Sequence, residues 1–125
     1  MVSGIKRQIG LTLMLTGLIH TVLGLIGFME QLRPMVAEGL WDTVGNGQWD
    51  RSTAFWYLML GFMLIALGHT VDWLMKKKRM APPVSLGWML LAICLIGVIV
   101  MPSSGFWLGL PQAWLLFIHR SPKQK

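Results

Sequence analysis

The chain has 125 residues, 54% of them hydrophobic and only 13% charged, with eleven Lys or Arg against five Asp or Glu for a formal net charge of +6. So apolar a composition excludes a disordered chain, and the basic excess, confined to gaps between apolar runs, is poor evidence for a nucleic-acid partner. The single cysteine, Cys94, excludes an intrachain disulfide.

The first apolar run, 9–29, is interrupted only by Thr12, Thr16, His20 and Thr21. It exceeds the ~7–15-residue core of a cleaved signal and no small-residue cleavage site follows, so a retained helix is expected. Gly10, Gly17 and Gly24 recur every seven residues along it, which keeps them near one stripe and marks a close helix contact. The segment 30–53 then collects Glu30, Glu38, Asp42 and Asp50. Leu32, Val36, Leu40 and Val44 return every four residues, which predicts a short amphipathic helix with Pro34 in its first turn and a break at Gly45-Asn46-Gly47. Such a helix caps the bundle or lies on its surface; a lid over a cavity is the alternative. The spacing of its acids matches no cation-binding loop.

The second run, 54–74, repeats the glycine spacing at Gly61 and Gly68 and carries His69 and Asp72 near its end. Lys76, Lys77, Lys78 and Arg79 follow at once. The third run, 84–101, has no charge, and Cys94 within it reads as a small packing residue. The fourth, 105–118, is short; Gly105, Gly109 and Pro111 suggest a kinked or partly unwound helix, with Ser103 and Ser104 as candidate caps. At about 1.5 Å per residue, against a bilayer core about 30 Å thick, the first three runs cross unaided. The fourth needs its flanks, a thinned bilayer or a partner. Unpaired backbone amides are too costly in hydrocarbon for open strands, so the fold class is all-α: one domain, 1–125, of four transmembrane helices with a short amphipathic segment in the outer loop.

Charge gives the orientation. Lys6, Arg7, the cluster at 76–79, Arg120, Lys123 and Lys125 flank the runs on one side, which places both termini in the cytoplasm and 30–53 outside. Trp41, Trp49, Trp56, Tyr57, Phe106 and Trp107 then fall towards the outer boundary, with Trp73 and Trp88 towards the inner one, as headgroup anchors do. His119, beside Arg120, belongs to the inner boundary.

The runs Gly39-Leu40-Trp41, Ala54-Phe55-Trp56-Tyr57, Leu86-Gly87-Trp88 and Met101-Pro102-Ser103-Ser104-Gly105-Phe106-Trp107-Leu108, together with Asp72 and with His20 after Gly17-Leu18-Ile19, are distinctive. In them the chain resembles a bacterial family of small four-helix membrane proteins known only as a domain of unknown function. The resemblance covers nearly the whole chain. It implies a bacterial cytoplasmic membrane and four spans, and brings no activity, substrate or catalytic residue.

Polar side chains inside a membrane are costly and are the first functional suspects. His20, His69, Asp72 and Thr16 are therefore the ligand or proton-relay candidates. Three readings compete. In the first, His20 and His69 ligate a b-type haem, although they lie at unequal depths, about 16 Å and about 8 Å from the inner edge. In the second, His20, His69 and Asp72 carry protons for a small transporter. In the third, which the residues favour, these groups bond between helices in a non-enzymatic component of the membrane, oligomeric or accessory to a membrane-protein partner, that binds a lipophile. No catalytic residue, metal site or cofactor is expected: the sequence has no H-E-x-x-H, no C-x-x-C and no Gly-rich phosphate loop.

Overall fold

The computed structural model describes residues 8–118. Five α-helices and no strand occur among them: α1 (Ile9–Gly27), α2 (Met29–Ala37), α3 (Trp49–Lys76), α4 (Val84–Val100) and α5 (Gly109–Ile118), with a 3-10 turn at Gly105–Leu108. Two of these helices, α1 with 19 residues and α3 with 28, are long and apolar enough to cross a membrane. The third apolar run forms a helix of only 17 residues and the fourth one of 10. Length and composition therefore support two spans among the described residues, where the sequence leads one to expect four. The basic residues before position 8, and His119 with the cations after it, lie outside the described residues.

The segment between the long helices departs most from expectation. The chain barely leaves α1 before α2 begins: the Phe28 N–H still reaches the Gly24 carbonyl at 2.9 Å. Pro34 thus falls inside α2 rather than in its first turn. The helix also ends early. The Gly39 N–H bonds to the Val36 carbonyl and the Leu40 N–H to the Met35 carbonyl, at 3.0 and 2.9 Å, while Gly39 takes φ +88°. This is a Schellman ending, which a glycine just past the last turn favours because it has no Cβ to clash. Leu40 and Val44, expected on the stripe of a longer helix, are loop residues instead.

α3 begins at Trp49 rather than at 54. Asp50 in its first turn and Lys76 in its last complement the helix dipole. The Gln48 side chain accepts a hydrogen bond from the Gly45 N–H at 2.7 Å, fixing the approach to the helix.

The chain divides into two compact units. One joins the start of α1, through Leu13, to the chain from Leu67 to the end of α5; the other is Met14–Ala66. In the first unit Ile9, Leu13, Val71, Leu90, Cys94, Ala113 and Leu116 form the buried core. There α4 and α5 make an antiparallel hairpin in which small residues meet large ones. Gly87 faces Leu116, Cys94 faces Gly109, and Gly97 takes the ring of Phe106. Trp88 meets Phe117 edge-on at 4.8 Å. Pro111 is the third residue of α5, in its first turn, where the fixed φ and missing N–H of proline are tolerated, and a 3-10 turn leads directly into the helix. Ser104 does not cap that turn: its hydroxyl donates back to the Met101 carbonyl at 2.6 Å. The Trp107 indole N–H closes the same corner on the Pro102 carbonyl at 2.8 Å.

Candidate functional site

The second unit holds the polar groups that engage one another inside an apolar crossing. α1 and α3 approach there backbone to backbone. A methyl group placed on Gly17 would stand 2.8 Å from the Gly61 carbonyl oxygen and from Ile65, and one on Gly24 would stand 2.6 Å from the Tyr57 ring. One on Gly61 would run into the Thr21 hydroxyl. Thr21 is buried and its hydroxyl donates to the Gly17 carbonyl at 2.8 Å, so it brings no unpaired polar group to the contact.

His20 lies one step along this crossing and is half-buried. Its ring stacks on that of Tyr57 with centroids 3.9 Å apart and planes 13° from parallel. Its Nε2 is 3.1 Å from the Tyr57 backbone carbonyl. A carbonyl oxygen can only accept, so Nε2 carries the hydrogen. Phe28 also packs on Tyr57, with centroids 5.2 Å apart and planes tilted by 56°. Tyr57, expected among the outer boundary aromatics, is half-buried and is the platform on which the histidine rests. The ring is held by both its face and its edge, in an arrangement suited to fixing helix register.

The other structured feature of this unit is a clamp. The Arg51 guanidinium donates twice to Glu38, Nη1 to Oε2 at 2.7 Å and Nη2 to Oε1 at 2.8 Å, and Nη1 donates also to the Thr43 carbonyl at 2.8 Å. This parallel fork suits Arg and no other cation. It lowers the Glu38 carboxyl below its ordinary pKa of 4.5, chiefly through the hydrogen bonds from Arg51. The fork joins the end of α2 to the first turn of α3 across a loop in which Leu40 and Asp42 take φ +66° and +49°. Beneath the loop opens a cleft of about 550 Å³ lined by Met35, Leu40, Thr43, Val44, Phe55 and Trp56, among others. Met35 and Thr43 at its floor are buried, whereas Trp56 at its rim is 64% exposed.

The remaining candidates are placed differently. Thr16 and His20 belong to this unit; His69 and Asp72 belong to the other. In that unit Asp72 pairs with Lys76 at 2.6 Å, and His69 stands on the exposed face of α3. Gly10 packs there against Gly68 and Asp72, where an added methyl would meet the Gly68 carbonyl and the Asp72 Cβ at 2.6 Å. No group of three His, Cys, Asp or Glu side chains that could hold a metal ion is present among the described residues. Arg51, Glu38 and Thr43 escaped the sequence reading, since a pair thirteen residues apart across a loop has no periodic signature. A family model, described as a family of unknown function (DUF6463), matches residues 4–123. No curated protein and no solved structure matches the chain.

Proposed function

The chain belongs to the DUF6463 family of unknown function, and we propose that it is a multi-span protein of the cytoplasmic membrane that takes a slender lipophile into its outer cleft and performs no catalysis. One observation carries the membrane reading. Only 33% of the most apolar window of α1 and 22% of that of α3 is buried, less than the core helix of a water-soluble fold would have, which supports the reading. α4 adds Met89, Ile93, Ile96, Ile99 and Val100 to the exposed apolar surface. Such a surface far exceeds the few hundred Å² that a soluble monomer commonly exposes, and lipid is its natural cover.

In this proposal α4 and α5 also cross. α4 reaches roughly 25 Å, and the 3-10 turn with α5 roughly 23 Å, short of the ~30 Å core. Flanking residues and local thinning of the bilayer make up the difference at modest cost. The charge pattern puts both termini and the 76–79 cluster in the cytoplasm and the Arg51 clamp outside. Reporter fusions at Gly47 and Lys77 should then read opposite sides of the membrane; the same side for both would refute the topology.

The ligand reading rests on the cleft. Its walls are mostly apolar, with Asp42, Thr43 and Ser52 among them, its rim continues into the exposed face of α3 through Phe55 and Trp56, and the fork from Arg51 holds the covering loop in place. An acyl chain suits such a groove, because it enters from the bilayer without crossing water. Native mass spectrometry of the protein extracted with its own lipids should show one defined lipophile, lost in Phe55→Ser. A scatter of bulk lipid, the same in the variant, would leave the chain as an oligomeric or accessory component without a ligand.

Proton-linked transport has weaker support. A relay needs groups that hand protons on, whereas Asp72 is engaged by Lys76 and His20 by a backbone carbonyl. Haem ligation would require His20 to leave the Tyr57 stack.

A further inference from the structure

The C-terminal end of α3 carries four cations in a row, Lys76 to Arg79, and the structure gives them unequal roles. Lys76 is neutralised by Asp72 at 2.6 Å. Lys77, Lys78 and Arg79 have no carboxylate partner among the described residues, so three charges remain to act outwards. Their placement is fixed. The Lys77 N–H closes the helix on the Trp73 carbonyl at 2.9 Å, and the Met80 N–H reaches back to the Leu74 carbonyl at 3.1 Å. The Lys78 Nζ lies 5.3 Å from the centre of the Trp73 ring, an indole that is 42% exposed. Two prolines then stiffen the chain, Pro82 buried and Pro83 entering α4 at φ −63° and ψ 141°.

Arg79 itself takes φ +53°. A left-handed residue just past a helix end is ordinarily Gly or Asn, because other side chains crowd the following carbonyl. Here the position carries an arginine in spite of the strain, and such strain persists where the rest of the structure imposes it and the side chain is used. Past the end of α2 the same chain places a glycine, Gly39, in the left-handed region.

We propose that Lys77, Lys78 and Arg79, backed by Trp73, form a docking surface for the phosphate groups of anionic membrane lipids. The inference rests on the membrane reading. Charge complementarity selects the partner: juxtamembrane cations gain most from a negative lipid surface, and an indole next to them sits well at headgroup depth. Arg79 supplies the fork that matches a phosphate, and Lys78 a point charge beside it.

The test uses the full chain in nanodiscs of phosphatidylcholine containing a minority of phosphatidylglycerol, with native mass spectrometry counting the lipids that stay on the released protein. The wild type should retain phosphatidylglycerol several-fold above its share of the bilayer. A triple variant, Lys77→Gln with Lys78→Gln and Arg79→Gln, should retain it at its bulk share. Arg79→Gly should melt at a higher temperature than wild type, its turn relieved of strain, and still lose part of the enrichment. Equal enrichment in the wild type and the triple variant would overturn the proposal, as would an Arg79→Gly protein that binds phosphatidylglycerol undiminished. A chain that does not enter nanodiscs at all would overturn the membrane reading beneath it, which is a separate and recognisable result.

Discussion

At Gly17 and Gly61 the helices α1 and α3 come so close that one added methyl group would stand 2.8 Å from a carbonyl oxygen. At Glu38 and Arg51, in the same compact unit, the chain is joined instead by a charged fork over a loop with two non-glycine residues in left-handed conformation. The first contact works by absence of side chains and satisfies its polar groups locally, through Thr21 on Gly17 and His20 on Tyr57. It offers water and salt little to act on. The second depends on a carboxylate that is half exposed and on a guanidinium. In lipid, where apolar burial brings no transfer gain, close backbone packing is what associates helices. Beside water, a charge-assisted fork is affordable and can be undone. The difference separates a joint made by close backbone approach from one made by charge, on which pH and salt act.

The largest effect expected from breaking the comparison is at the crossing. Gly17→Leu forces a branched side chain into the Gly61 backbone and should destabilise by about 1–3 kcal/mol or prevent folding. Denaturant titration in detergent would read it, and an unchanged midpoint would show that the helices do not need this approach. His20→Leu should leave membrane insertion intact while weakening the joint by roughly 0.6–2 kcal/mol, the range for a bond between helices in a membrane. The same titration measures it, and loss of insertion instead would make His20 a folding residue.

At the clamp the effects are smaller and local. Arg51→Met should speed hydrogen exchange in the loop 39–47 without shifting exchange at the Gly17–Gly61 crossing. A matching rise at both places would mean that the two contacts are one. The pH dependence has a definite sign. The Glu38 carboxyl titrates below its ordinary value of 4.5, so its contribution is complete above that value and is lost as pH falls through the lower folded value. Protection of the loop amides, taken relative to the unstructured chain at the same pH, should therefore fall in acid for the wild type, and Glu38→Gln should abolish that fall. The smallest effect belongs to Asp42→Gly. Relieving φ +49° should stabilise by at most about 0.4–1 kcal/mol, an upper limit because Asp tolerates this conformation better than most residues.

Much of this was legible from residue types. Threonines and glycines in an apolar run lead one to expect a helix that packs closely; an added methyl at Gly10, Gly17, Gly24 or Gly61 would stand under 3 Å from the facing helix. The amphipathic stripe from Leu32 to Val44 was misleading, because a four-residue repeat continues across Gly39 even though the backbone turns there. Its last members, Leu40 and Val44, line a cleft instead of extending a helix. The polar candidates were identified by cost alone, which says that a buried histidine needs a partner without saying which one.

By itself, the sequence determined an all-helical chain with long apolar helices, small residues along their contact stripes, and charge sorted by sign between the runs. Each of these is a local property: periodicity sets a face, composition sets a medium, and a glycine sets how near a neighbour can come. Only the tertiary structure decided that His20 rests on Tyr57 and that Arg51 holds Glu38 and Thr43. Both are pairings across loops, fixed by the register of one element against another. The Asp72–Lys76 pair is different, a four-residue spacing on one helix that the sequence does carry. Pairings of the first kind leave no period or motif in the sequence, because packing makes them after the helices have formed.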